Sequence, residues 1–317
     1  MRLLVYIFII FFYSVGAQQT SQYTQFTLNK YGYNPAAAGT NINGKFEIIC
    51  GNKKQWIGFD RAPASNFFSG NYTFKPKRSY KRWHNAGIYM NNERYGMFQN
   101  FSIYGSYTLH LPLSKKLTAS FGTFLGARRF SVMKSFIPEG DPVKTNSDVF
   151  LWAYPDVIPG FRLYSKKMFL DISVHQIYKN KQTQNDRQIG NQSKLKQQIY
   201  VSYGQRIFFD NGYTIVPAIN LHSGYTALPS IEFNLMAYYK KRIGAGVGIR
   251  GINFGYAILQ LKVFKTSMIG MAYEYSINRL NGGSPNSFEI MYGISPFMNL
   301  EADKIKNSVA KCPTFDF

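Results

Sequence analysis

The most regular feature of the chain is an alternation of apolar and polar side chains with a period of two residues. It is clearest in the stretch from Phe98 to Leu111, which reads FQNFSIYGSYTLHL. One face carries Phe101, Ile103, Gly105, Tyr107, Leu109 and Leu111, and the other carries Asn100, Ser102, Tyr104, Ser106, Thr108 and His110. Successive side chains of a β-strand point to opposite sides. The pattern therefore predicts a strand with one apolar and one polar surface.

The same alternation recurs along the chain and predicts about fourteen strands, most of them near the roughly 9–11 residues that a tilted membrane-crossing strand needs. The predicted strands cover residues 44–56, 64–75, 83–92, 98–112, 115–130, 154–165, 167–178, 195–209, 213–225, 229–239, 242–253, 255–265, 267–279 and 286–297. Two prolines, Pro159 and Pro217, lie in the middle of predicted strands. Because proline cannot donate to a β-ladder, each requires a strand start or a bulge.

The connections between the predicted strands alternate between tight and long. Tight connections occur at Ser114–Lys116, Ser165–Lys167, Asp210–Gly212, Lys240–Arg242 and Lys265–Ser267, and the two longest, 131–153 and 179–194, fall in the opposite set. Bacterial transmembrane barrels combine an even strand number with short periplasmic turns and longer external loops. The sequence therefore predicts an all-β fold: a transmembrane, antiparallel, up-and-down β-barrel of the outer-membrane type with both termini in the periplasm.

The two ends of the chain lack this alternation. Residues 1–17 are typical of a cleaved secretory signal peptide, since Arg2 precedes an apolar run and small residues end at Ala17. We expect an N-terminal periplasmic or plug segment at 18–43, the barrel at 44–298 and a periplasmic tail at 299–317. The N-terminal segment is expected to fill the periplasmic mouth of the barrel and to cover small lumen residues such as Gly122 and Gly246; a disordered lead-in is the alternative.

Composition adds an environment to this fold. The formal net charge is +21, 17% of the residues are aromatic and the mean hydropathy is -0.22. A strongly basic balance indicates anionic neighbours, and export argues against nucleic acid among them. Four of the five tight turns carry Lys or Arg. These turns could contact head groups of the outer-membrane lipid, or they could form a basic ring that docks an acidic periplasmic partner.

No pattern in the sequence indicates catalysis, a cofactor or a metal site. A dinucleotide-like G-x-G-x-x-G spacing occurs at Gly246, Gly248 and Gly251, but the residues that follow it, 252–261, have no capping residue and no helical spacing. His110, His175 and His222 are predicted to face the lumen at different heights, so they are not expected to meet, and His84 begins a separate strand. A hydrolase needs a nucleophile, a base and an orienting group in contact. The sequence therefore favours a protein that is not an enzyme.

Two stretches near the amino terminus resemble the start of the PorP/SprF family of outer-membrane proteins. The stretches are QYTQFTLNKYGYNPAAAG, residues 22–39, and QWIGFDRAP, residues 55–63. The matching residues are Gln22, Tyr23, Gln25, Phe26, Tyr33, Asn34, Pro35, Ala36, Ala38, Gly39, Gln55, Trp56, Gly58, Phe59, Ala62 and Pro63. At the other end, AYEYSINRL at 272–280, SFEIMYGI at 287–294 with Glu289, and KCPTF at 311–315 with Cys312, Pro313 and Phe315 are also similar to the family. The family often has Gly-Ser-His-Glu where this chain has Asn286 to Glu289, and this chain ends two residues later.

The resemblance implies a barrel component of the type IX protein secretion and gliding machinery. Family members are linked to the anchoring of secreted adhesin-like proteins at the surface and to periplasmic components of the machine, and they are not known as enzymes. The matched positions are therefore candidate partner-binding residues. The resemblance also implies location in the outer membrane. A general diffusion porin is the alternative function, and an enzyme acting on lipid or polysaccharide is a third.

Three further hypotheses concern the ends and loops. Loops 131–153 and 179–194 would face the cell exterior, where aromatics such as Trp152 and Tyr154 suit either protein binding or an interfacial girdle. The tail, with Pro313, Phe315 and Phe317, would dock periplasmic partners or else tuck under the barrel. A disulfide between Cys50 and Cys312 is left open.

Overall fold

The computed structural model shows an antiparallel barrel whose wall is made almost entirely of strands. It describes residues 22–40, 46–74, 82–133, 139, 151–178, 183–184, 187–188, 197–224, 229–240, 242–264, 266–277 and 286–295. Among these residues, no helix has the length and apolar character needed to cross a membrane.

Fourteen strands close the barrel, as the sequence predicts. They are β1 (Phe46–Lys54), β2 (Ala64–Phe74), β3 (Trp83–Tyr95), β4 (Phe98–Pro112), β5 (Leu117–Val132), β6 (Leu151–Ser165), β7 (Met168–His175), β10 (Gln198–Gln205), β12 (Tyr213–Gly224), β13 (Ser230–Tyr239), β14 (Ile243–Arg250), β15 (Phe254–Phe264), β16 (Ser267–Ser276) and β17 (Ser287–Ile294). Two short strands, β8 (Thr183–Gln184) and β9 (Arg187–Gln188), form a separate hairpin, and β11 (Ile207–Phe208) continues β10 after a break. The first and last strands pair from Ile48 with Ile294 to Lys54 with Phe288, which closes the wall.

Two rims follow from this connectivity. The short-turn rim holds the connections at 113–116, 166–167, 209–212 and 240–242, together with the start of β1 and the end of β17. The long-loop rim holds the connections at 55–63, 133–150, 176–197 and 277–286. Heights in the barrel are given below relative to these two rims.

The two faces of the wall differ in polarity as the alternation predicts. In β4, Phe101, Ile103 and Tyr107 are exposed on the outer face, whereas Ser102, Ser106 and Thr108 are buried on the lumen face. An apolar outer face next to lipid and a polar inner face are typical of outer-membrane barrels. The lumen is therefore the place where polar side chains of this chain are buried.

Both prolines lie where a ladder is interrupted. Pro159 pairs with Thr123 of β5, and on its other side the recorded pairing of β6 with β7 begins only at Gly160. Pro217 pairs with Leu235 of β13, and on its other side it lies opposite the break between β10 and β11. The missing N–H groups therefore cost the wall little.

The G-x-G-x-x-G spacing is part of the wall. Gly246 and Gly248 lie in β14, Gly251 has a positive φ of 55° in the following turn, and strand β15 follows instead of a helix. A dinucleotide fingerprint needs a helix at this point. The three glycines therefore do not form a dinucleotide-binding loop.

Candidate functional site

The candidate site is the barrel lumen together with residues 22–40, which we call the lumen segment. The segment contains a one-turn helix, α1 (Lys30–Tyr33), and a 3-10 turn, Pro35–Ala37. Asn34 precedes the 3-10 turn and caps it by accepting a hydrogen bond from the amide of Ala36 at 3.0 Å. Most side chains of the segment are buried, and they contact strands all around the lumen.

Near the long-loop rim the segment is held by a buried cluster of charges. Five strands contribute one residue each: Lys53 from β1, Glu232 from β13, Arg250 from β14, Glu274 from β16 and Glu289 from β17. Arg250 bridges two of the carboxylates, at 2.7 Å to Glu274 and 3.1 Å to Glu232. Lys53 lies 3.4 Å from Glu274. Charges buried in this way persist because they are paired and hydrogen-bonded.

Three of these charged side chains bind the start of the segment directly. Glu289 accepts the backbone amides of Thr24 at 2.7 Å and Gln25 at 2.9 Å, one on each carboxylate oxygen. Lys53 donates to the carbonyl of Gln22 at 2.7 Å and to the hydroxyl of Thr24 at 3.1 Å. That hydroxyl in turn donates to Glu274 at 3.1 Å. Hydrogen bonds to charged groups are stronger than neutral ones, so this cluster is the tightest attachment of the segment.

Towards the short-turn rim the segment is held by neutral side chains. The carbonyl of Pro35 accepts from Thr108, that of Ala36 from Ser120 and that of Gly39 from the indole of Trp83, at 2.8, 2.8 and 3.1 Å. Asn34 donates to the carbonyl of Phe161 at 2.9 Å and to Asp171 at 3.1 Å. The turn thus has polar partners on both of its sides, which fixes its orientation in the lumen.

The lumen histidines serve the same attachment. His110 contacts the carbonyl of Ala38 through Nε2 at 2.8 Å, and His175 contacts the carbonyl of Tyr33 through Nε2 at 2.8 Å. Nε2 must carry the proton in both, because a carbonyl only accepts. His222 pairs with the side-chain amide of Gln22. Three of the four histidines are therefore committed to the segment.

His175 and His222 are separated by Tyr200, with ring centroids 4.6 and 4.2 Å from the tyrosine ring. The stagger between neighbouring strands brings both rings to this tyrosine, and turn positions alone do not reveal it. His84 is the second residue of β3 and contacts the hydroxyl of Tyr107 at 2.6 Å. No group of three His, Cys, Asp or Glu able to hold a metal ion occurs in the described part of the chain.

Small residues of the wall make room for the segment. A Cβ added to Gly122 would meet backbone atoms of Pro35 and Ala36, and one added to Gly160 would meet Asn34. On the opposite wall, a Cβ on Gly270 would meet Gln25. At Gly246, by contrast, the adjacent atoms belong to Met236 and Leu235 of β13 rather than to the segment. The segment fills more of the lumen than the periplasmic mouth that the sequence predicts. Its contacts run along the lumen from Lys53 near one rim to Trp83 near the other.

The first block of predicted partner-binding residues therefore faces inward. Tyr23 and Phe26 are buried, and the hydroxyl of Tyr23 donates to Asn91 at 3.0 Å. Gly39 has a positive φ of 69° and lies against Asn85, so a side chain there would be strained and crowded. Glu289 belongs to the same inward set. The sequence shows no pattern that separates these residues from surface-facing ones.

The second block, residues 55–63, forms an ordered loop at the long-loop rim. Trp56 has φ 53° and Gly58 has φ 104°, and the amide of Gln55 donates to the carbonyl of Pro63 at 2.9 Å. The amide of Ile57 donates to the carbonyl of Asn286 at 3.0 Å, which ties this loop to its neighbour. Trp56, Ile57 and Phe59 are exposed. The loop thus holds three apolar side chains outward in a defined conformation.

Several predicted positions lie outside the described residues. They include Cys312, Pro313 and Phe315 of the tail, the signal peptide, and most of loops 131–153 and 179–194. Cys50 is described in β1, where it is half-buried. What sequence reasoning missed is the charged cluster, because its five members come from strands that are distant in sequence. The feature that these five residues share in the sequence is a charge at a lumen-facing position near the end of a predicted strand.

Comparisons with known proteins agree with this architecture. The family model for the type IX secretion system membrane protein PorP/SprF matches residues 15–294. The fold is similar to the toluene transporter TbuX of Ralstonia pickettii, with a TM-score of 0.52 at 8% identity over 84% of this chain and 93% of that one. It is also similar to the monoaromatic hydrocarbon channel CymD, with a TM-score of 0.51 at 8% identity over 84% and 91%. No curated protein matches the sequence.

Proposed function

The chain belongs to the PorP/SprF family of type IX secretion system membrane proteins, and from this premise we propose that it is a plugged outer-membrane barrel that anchors a secreted protein. The proposed client is an adhesin-like surface protein bound at the long-loop rim. Periplasmic components of the secretion machine are the proposed partners at the short-turn rim. In this orientation the strands begin and end in the periplasm.

The observation that carries the proposal is the filling of the lumen by the chain itself. A cavity beside Tyr33, Tyr104 and Arg128 has a volume of about 40 Å³, and another beside Phe26, Lys30 and Phe169 has a volume of about 10 Å³. Cavities of this size hold at most a few water molecules. A general diffusion porin needs a continuous aqueous channel, so the packing of the lumen favours a binding role over the porin alternative. The toluene transporter and the hydrocarbon channel are likenesses of fold only.

The rim loop 55–63 supports the client-binding half of the proposal. Its exposed apolar side chains are held by backbone hydrogen bonds and by the φ angles of Trp56 and Gly58. Ordered aromatic anchors lose little conformational freedom on binding and are typical of protein interfaces. Loops 131–153 and 179–194 are proposed as further client contacts because their sequence carries aromatics such as Trp152 and Tyr154.

The short-turn rim supports the periplasmic half. Lys115, Lys116, Lys166, Lys167 and Arg242 are exposed there. A ring of cations attracts an acidic protein surface, and it equally suits anionic head groups of the outer-membrane lipid. The tail, 299–317, is proposed to extend this docking surface through Pro313 and Phe315.

We assign no catalytic role to the lumen. His110, His175 and His222 each bond to the segment. A general base must be within reach of a substrate proton, and these rings are occupied by the chain's own backbone or by Gln22. A lipid-hydrolysis assay on the purified barrel is expected to show no activity above the buffer.

Co-purification from native membranes, with mass spectrometry of the captured proteins, tests the proposal. Replacing residues 135–150 by a short Gly-Ser turn is expected to lose the secreted client and to retain periplasmic partners. Truncation after Asn299 is expected to do the reverse. If both variants recover the same proteins as the full chain, the two-rim assignment is wrong.

Single-channel conductance of the intact protein separates it from a porin, since a plugged barrel stays nearly silent.

A further inference from the structure

The lumen segment runs from one rim of the barrel to the other, and the rim at which it starts determines the side from which the preceding chain enters. Its first residue, Gln22, and Gly39 near its end contact wall residues at opposite rims. At the start, Gln22 is bound by Lys53, the next-to-last residue of β1 before the long-loop rim. It also meets His222, close to the end of β12 at the same rim. The segment therefore begins at the long-loop end of the lumen.

The contacts then descend towards the other rim. The hydroxyl of Tyr23 reaches Asn91 in the upper part of β3. Further along, Pro35 meets Thr108 and Ala36 meets Ser120, near the ends of β4 and β5 that face the short-turn rim. Gly39 finally meets Trp83, the first residue of β3 at that rim. Between these ends the segment turns back once, since Tyr33 accepts from His175, the last residue of β7. The order of the two ends is nevertheless fixed: Gln22 lies at the long-loop rim and Gly39 at the short-turn rim.

From this order we infer that the chain crosses the membrane level through the lumen before β1 begins, so that the residues preceding Gln22 leave the barrel at the long-loop rim. Fourteen wall strands and one lumen crossing make an odd number of passages. The amino-terminal side of Gln22 and the carboxyl-terminal end of β17 then lie on opposite sides of the membrane. This differs from the expectation, based on strand number alone, that both termini are periplasmic.

The inference places the amino-terminal side of Gln22 at the same rim as the loop 55–63. Which side of the membrane this rim faces rests on the proposed orientation of the barrel, whereas the crossing itself does not.

An epitope-insertion experiment in intact cells tests the crossing. The same short epitope is placed between Thr20 and Ser21, after Ile252 in the long-loop turn 251–253, and between Lys115 and Lys116 in a short turn. The epitope after Thr20 is expected to be stained under the same conditions as the one after Ile252. If it is stained under the conditions of the Lys115 insertion instead, the crossing is overturned. Heat-modifiable migration in gels confirms that each variant is folded.

The two controls report separately on the proposed function. If the Ile252 epitope is stained only after permeabilisation and the Lys115 epitope is stained on intact cells, the proposed orientation is wrong. The crossing is still supported in that case if the Thr20 epitope behaves like the Ile252 epitope.

A smaller change guards against an epitope that blocks passage through the lumen. In a background with Cys50→Ser and Cys312→Ser, Ser21→Cys alters one atom of the side chain. Its labelling by a membrane-impermeant thiol reagent is compared with that of Ser114→Cys in the short turn. The crossing predicts that these two positions are labelled from opposite sides. Labelling of both from the same side contradicts it.

Discussion

The two blocks of the amino-terminal motif lie close together in sequence and meet opposite surroundings. In the first block Tyr23 and Phe26 are each 2% exposed, whereas in the second Trp56 and Phe59 are 47% and 52% exposed. The first block is enclosed by polar side chains and glycines of the lumen wall, and the second projects from a rim loop. Similar aromatic residues therefore pack inside the barrel in one block and are exposed at a rim in the other, where we propose that they bind the client.

Deleting residues 20–40 should have the largest effect of the changes considered for the two blocks. The deletion removes the lumen segment and leaves the charged cluster facing an open channel. We expect conductance to rise from near silence to that of an open pore in planar bilayers. Replacing residues 55–63 by a Gly-Ser turn is the matched change in the second block, and it should leave the barrel silent. An equally silent deletion variant would show that the segment does not close the lumen.

Glu289→Gln should destabilise the folded barrel next most strongly. A glutamine oxygen can accept one of the two amides of Thr24 and Gln25, but its NH₂ group faces the other donor, and one negative charge of the cluster around Lys53 and Arg250 is lost. We expect a loss of about 2 kcal/mol in the free energy of unfolding, as for hydrogen bonds to a charged group. Urea unfolding in detergent measures it. Asp210→Asn in an exposed turn is the control and should change stability by less than about 0.5 kcal/mol.

Gly122→Ala tests how tightly the wall fits the segment. The added Cβ would lie 2.5 Å from the amide nitrogen of Ala36, which is backbone and cannot rotate away. We expect a destabilisation of about 1–3 kcal/mol from overpacking. In Gly105→Ala the nearest atom to the new Cβ is 3.9 Å away, so that variant should be nearly neutral. Equal melting temperatures for the two variants would contradict close packing of the segment against β5.

Combining Trp56→Asn with Phe59→Ser should have the smallest effect on the barrel. Asparagine tolerates the positive φ at position 56, and both side chains are exposed, so stability should change by less than about 0.5 kcal/mol. Recovery of the secreted client should nevertheless fall at least about tenfold, because truncating an aromatic anchor costs on the order of 2 kcal/mol of binding. Unchanged recovery would mean that the loop is not the client's contact.

The sequence predicts the wall far better than it predicts the lumen. The alternation in a strand such as Phe98–Pro112 is set by local backbone geometry, so the number, positions and faces of the strands could be read directly. The height at which Lys53, Arg250 and Glu274 meet depends on the stagger of strands around a closed wall. That stagger is a property of the whole barrel. The same limit explains why the position of Tyr200 between His175 and His222 could not be predicted.

The missing strand period predicts a plug at the periplasmic mouth for residues 18–43, with a disordered lead-in as the alternative. The contacts that order residues 22–40 inside the lumen are beyond local patterns. Their order comes from partners such as Glu289 and Asp171, which lie more than a hundred residues away in the chain. Resemblance to the family marked these residues without indicating that they face the chain's own lumen.

The attachment of Thr24 and Gln25 to Glu289 also constrains how the molecule can be made. The bonded groups are 265 and 264 residues apart in sequence, and β17 that carries Glu289 is the strand that pairs with β1. Contacts at such separation form late, because the intervening chain must first be brought together. The hydrogen bonds of Thr24 and Gln25 to Glu289 therefore form only after nearly the whole barrel has folded. Binding of the segment in the lumen and pairing of β17 with β1 become a single final folding step. A chain that lacks β17 can complete neither the closure of the barrel nor the binding of the segment.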